Sequence, residues 1–107
     1  MGGLSFELEN VHPQSKYITA VRSLTWHGGP MDSKSLIFRN RTVGEGSEQV
    51  ARQLRPLSGF YVRRHQRVEL ELPSFRPAPG HHSMALELEL AGVMVVRAAG
   101  FLQVVPA

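Results

Sequence analysis

The residues of this 107-residue chain that could do chemistry are five histidines, His12, His27, His65, His81 and His82, a small set of carboxylates and the serines. A metal or acid–base site needs two or three imidazoles converging with a carboxylate such as Asp32. Only His81 and His82 adjoin, and neighbours on a strand point to opposite faces, so they cannot share one ion. Surface positions are expected for the histidines, with His82 filling a corner. Ser33, Ser58 and Ser83 lie in no nucleophile elbow, and Gly44-Glu45-Gly46 lacks the lysine and following helix of a phosphate loop. Glu69, Glu71, Glu87 and Glu89 alternate with leucines. They are therefore expected on outward faces, paired with Arg63, Arg64 and Arg67, rather than flanking a glycosidic bond. Trp26, Tyr17, Tyr61 and Phe60 are the candidates for a sugar-stacking platform, and core packing is the expected role of Trp26. No catalytic residue and no metal ligand is assigned, and no cofactor is expected in this chain.

The totals exclude further classes. With no cysteine there are no disulfides, thiolate nucleophiles or cysteine-based zinc sites, a composition that fits a reducing cytoplasm. The net charge of +3 is weak. Its basic residues, Arg52, Arg55, Arg63, Arg64, Arg67 and Arg76, are interrupted by apolar or acidic ones and accompany no nucleic-acid motif, so a solvated basic face is expected and no nucleic-acid partner. No apolar run approaches the ~18 residues of a membrane span, and no leader pattern opens the chain. The length fits one domain over residues 1–107, with a single core.

The elements that must position these residues are strands. Val68/Leu70/Leu72 and Met84/Leu86/Leu88/Leu90 alternate strictly, each giving one buried and one wet face. Leu4/Phe6/Leu8 predicts an opening strand that ends at His12-Pro13. Further strands are predicted over Tyr17–Trp26 and Ser35–Arg41, separated by a turn at His27-Gly28-Gly29-Pro30. Over Thr42–Gly59 two readings stand: Ser47 capping one or two helical turns through Leu54, or an extended edge segment, ended either way by Pro56. Phe60–Val62 restores extended structure.

Were the strands ending at Leu72 and Leu90 hairpin neighbours, Glu69 and Glu71 would face Glu87 and Glu89, and like charges opposed across strands destabilise. The chain is therefore expected to cross to a second sheet at Pro79-Gly80, as at the corner of an immunoglobulin-like domain, with His82 where a tyrosine often sits. The expected fold is an all-β, two-sheet antiparallel β-sandwich of immunoglobulin-like form, with a small closed β-barrel as the alternative.

The last apolar run, Val93 to Val105, is apolar on both phases. If Met94, Val96, Ala98, Leu102 and Val104 face the core, then Val93, Val95, Phe101 and Val105 form an exposed stripe of the kind that marks a partner interface. The other reading is a bulge at Gly100 that swaps the phase and puts both sets inside. A second contact segment is expected in Leu57–Arg64, where Phe60 and Tyr61 lie beside a glycine and two arginines.

The order of these features, with Trp26-His27-Gly28-Gly29-Pro30-Met31-Asp32, the strand Leu36-Ile37-Phe38-Arg39-Asn40, the strand Val68–Leu72, then Pro79-Gly80-His81-His82 and the alternating run Met84–Leu90, resembles the small β-subunits of bacterial C-glycoside deglycosidases over about residues 19–105. The resemblance implies a β-sandwich subunit of a hetero-oligomer. The larger partner subunit, a barrel with a divalent metal, would cleave the carbon–carbon bond of an oxidised C-glycoside. It carries over no catalytic residue. The competing expectation is a free-standing immunoglobulin-like module that binds carbohydrate or mediates adhesion.

Overall fold

A computed structural model describes residues 3–11, 14, 16–40, 47–56, 59–91 and 94–104. Among them the strands are β1 (Leu4–Glu9), β2 (Lys16–Trp26), β3 (Gly29–Pro30), β4 (Ile37–Asn40), β5 (Ser47–Val50), β6 (Phe60–Val62), β7 (Arg67–Leu72), β8 (Gly80–Leu90) and β9 (Met94–Val104). They form two antiparallel sheets. The first runs β1-β7-β4-β5; the second runs β3-β2-β8-β9, with β6 also on β2. The fold is thus a β-sandwich, with β7 and β8 in opposite sheets as the glutamate placement required. Among the described residues no pairing joins β1 to β9, so the sheets do not close into a barrel and the sandwich has an open side.

Alternation sets the core. Leu4, Phe38, Val68, Leu70 and Leu72 from the first sheet meet Ile18, Leu24, Leu86, Leu88 and Leu90 from the second, all buried. Each such side chain contributes roughly 1.5–3 kcal/mol on leaving water. His27 and Gly28, at φ 52° and 79°, make the two-residue turn between β2 and β3, where both positions need positive φ. Glycine meets that requirement without strain, and histidine is among the side chains enriched there.

Residues 47–54 correct the helical reading. Val50 pairs with Ile37, and Glu48 with Arg39, so the segment completes the edge of β4 before a single 3-10 turn at Ala51–Gln53. A partner strand satisfied the backbone better than a short isolated helix, which is costly to nucleate. The extended-edge alternative is the one that forms. Leu54 then enters the core.

Like charges nevertheless meet across strands on the first sheet, where Glu7 lies opposite Glu69. Arg39, on the adjacent strand, answers them. Its guanidinium reaches Glu71, Glu69 at 3.7 Å and Glu48 at 2.6 Å. The hydrogen bond that Arg39 donates to Glu71 is the largest of the causes that raise the Arg39 pKa above its ordinary value, so the cation persists wherever the carboxylates are charged. The expected partners Arg63 and Arg64 do not hold these glutamates, and Arg67 pairs with Glu9 instead. Replacing Arg39 with Met is expected to cost about 1–3 kcal/mol in urea denaturation. Adding Glu71→Gln should recover part of the loss; strict additivity of the two substitutions would show that Arg39 does not hold Glu71.

Candidate functional site

The candidate site is the outer face of the second sheet. β9 pairs with β8 without interruption from Gly80↔Val104 to Leu90↔Met94, so no bulge occurs at Gly100 and one phase holds along the whole strand. Val96, Leu102 and Val104 pack against the core. Val95, Arg97, Ala99 and Phe101 therefore face outward, over Glu89, Glu87, Ala85 and Ser83 of β8. Phe101 is 83% exposed and Val95 46%. The floor around them is low, because Ala99, Ala85 and Ser83 carry small side chains, and Phe101 stands above it as a projecting ring. About six residues separate Val95 from Phe101, roughly 20 Å at strand rise.

Tyr61 lies on the same face. Phe60 and Ile18 point inward as a pair, so their neighbours Tyr61 and Tyr17 point outward, with ring centroids 4.8 Å apart and planes tilted by 48°. Ile18 also pairs with Leu90, and Leu90 with Met94, which puts the tyrosines at the Val95 end. Of the residues expected at a partner interface, Val95, Phe101 and Tyr61 thus share one exposed face. Phe60 does not: it is 3% exposed, its ring 5.7 Å from Phe38, because strand alternation turns one of two adjacent aromatics into the core. Val93 and Val105 lie outside the described residues. Tyr17, also exposed, is an additional member that the apolar stripe did not single out, while Met94 is on the core phase opposite Leu90 and is exposed at the end of its strand.

The histidines make one arrangement that spacing did not reveal. His82 stacks on Trp26 at 4.8 Å, and Phe75 meets the same indole edge-on at 4.8 Å, so Trp26 does serve packing. A carbonyl can only accept, so His82 Nε2–H donates to the Ala78 carbonyl at 2.7 Å. Its Nδ1 meets His27 Nε2 at 2.8 Å, accepting from it when the His82 ring is neutral. His82 thereby ties the corner after Pro79 to the β2–β3 turn, a positioning role in which both ring nitrogens are occupied. Among the described residues no three histidine, aspartate or glutamate side chains are arranged to hold a metal. Ser83 is on the outer face of β8, hydrogen-bonded through its backbone to His27, and Ser58 lies outside the described residues.

No family model matches the chain, and no curated protein matches it in sequence. No helix among the described residues is long and apolar enough to cross a membrane.

Exposure separates the two aromatics energetically. Phe101→Ser should leave stability of the isolated chain within about 0.5 kcal/mol, as for other surface changes, whereas Phe60→Ala should cost about 3–5 kcal/mol. Equal losses in urea titrations of the two variants would show that Phe101 is part of the core.

Proposed function

We propose that this chain is a non-catalytic small subunit of a cytoplasmic hetero-oligomeric enzyme, docking a larger catalytic subunit on the outer face of its second sheet. The observation that carries the reading is Phe101, a large ring 83% exposed on a floor of small side chains. Binding energy concentrates in aromatic anchors of this kind, set among contacts that exclude water. His27 and His82 are engaged with each other, and Glu48, Glu69 and Glu71 with Arg39, an arrangement that supports leaving the chemistry to the partner. The features shared with the small subunits of C-glycoside deglycosidases give that partner a concrete form: a metal-dependent barrel cleaving a carbon–carbon bond in an oxidised C-glycoside, with this chain as its immunoglobulin-like accessory.

A second reading, a free-standing carbohydrate-binding module, is favoured by one observation, the exposed Tyr17–Tyr61 pair. Two rings tilted by 48° offer a sugar one ring face rather than a coplanar platform. The two readings separate on expression. A subunit should aggregate alone and become soluble when co-produced with the protein encoded by the neighbouring gene, and Phe101→Glu or Val95→Glu should lower recovery of that complex at least about tenfold. A chain that elutes as a well-behaved monomer, and remains one beside the neighbouring gene product, would exclude the subunit reading.

A further inference from the structure

We infer that the free edge of β9, with the apolar groove between β9 and β1, receives an extended segment of a partner chain that carries apolar side chains at alternate positions. The inference rests on the edge and the groove rather than on the outer face, so it can fail while the outer-face assignment holds.

Soluble sheets guard their edges with short strands, charges, prolines or bulges. The other outer strands follow that rule: β5 has four residues, β3 two and β6 three, and β1 has six with Glu7 and Glu9 among them. β9 breaks it. It is 11 residues long, holds one charged residue, Arg97, contains no proline and runs in unbroken register with β8. Its second edge pairs with nothing among the described residues, and unpaired backbone groups in such a row template another strand.

Beside that edge the sandwich is open. A cavity of about 480 Å³ has Leu8 of β1 on one wall, Val96 and Ala98 of β9 on the other, and Ile18, Phe38 and Leu88 at its floor. Through Leu8 and Ala98 it continues into a second hollow of about 230 Å³. An apolar cavity of ~150 Å³ takes a benzene ring, so the larger one has room for roughly three leucine- or phenylalanine-sized groups. Three side chains at alternate positions span five residues, about 17 Å, well within the length of β9.

A second copy of this chain is the poorer occupant. Edge-to-edge pairing of two β9 strands would cover a strip about 36 Å long and 10 Å deep. That is on the order of 350 Å² per copy, against the ~800 Å² per partner of a stable interface. It would also leave the groove unfilled, since the incoming strand is already tied to its own β8. A segment free on both edges extends the second sheet and sends its inward side chains into the groove. Glu9, on the outward phase of β1, and Arg97, on the outward phase of β9, flank the opening between the two strands. Outer positions of both charge signs therefore fit, and a uniformly acidic or basic segment does not.

The test uses the full chain extended after Ala107 by a Gly-Ser linker of about ten residues and the segment Lys-Val-Thr-Val-Thr-Val-Glu. Tethering supplies an effective concentration near millimolar. The control carries the same residues in block order, Lys-Val-Val-Val-Thr-Thr-Glu. Amide hydrogen exchange along β9 is the readout. The alternating segment should slow alternate β9 amides by about tenfold or more, the block segment should not, and Ala98→Glu in the groove wall should abolish the protection. If Ala98→Glu unfolds the chain, the comparison of the two segments decides alone. Unchanged exchange with the alternating segment, or equal protection by both, would overturn the inference.

Discussion

The uninterrupted pairing of Gly80–Leu90 with Met94–Val104 decides which side chains of the second sheet meet the core and which meet water. A slip of one residue would invert every side chain of β9, moving Phe101 into the core and Leu102 out of it. The strict alternation of Met84, Leu86, Leu88 and Leu90, all buried, pins β8. β9, apolar on both phases, inherits its orientation from that neighbour. The exposed stripe is thus a consequence of the most regular strand in the chain.

The outer faces of the two sheets differ in kind. The first sheet carries Glu7, Glu48, Glu69 and Glu71 around Arg39, a charged surface tied to itself. On the second, Glu87 accepts a hydrogen bond from Ser23 and lies opposite Arg97, and Glu89 faces Arg22, leaving the rest of the outward β9 stripe from Val95 to Phe101 to valine, alanine and phenylalanine. A network whose cation is already engaged by three carboxylates has little to offer a partner. An aromatic ring on a low floor, next to an open strand edge, has both apolar area and backbone hydrogen bonds to contribute. The proposed association therefore falls on one side of the sandwich.

Much of the fold was legible in the sequence because strand alternation is local. β1, β7 and β8 follow from their periodicity, β2 from its β-rich composition although register shifts at Ile18/Ala20 and Val21/Ser23 break its phase, and the repulsion expected among four glutamates was enough to separate β7 from β8. What depends on pairing between distant segments was not legible. β5 is a short polar stretch that becomes a strand because β4 offers it an edge. The meeting of His27 with His82 needs the β2–β8 register, which no local pattern encodes. Phe60 and Tyr61 are adjacent aromatics whose phase is set only by their pairing with Ile18 and Tyr17. The candidate interface was half legible for the same reason: β9 showed two apolar faces, and only its neighbour chose between them.

The central claim is that the β9 side of the second sheet is covered in the functional assembly. Hydroxyl-radical footprinting of the chain, free and in complex with its co-produced partner, tests it directly. The account predicts that oxidation of Phe101, together with Tyr61 and Val95, falls about tenfold or more in the complex, while side chains on the outer face of the first sheet react as in the free chain. A complex in which Phe101 stays as reactive as in the free protein would contradict it.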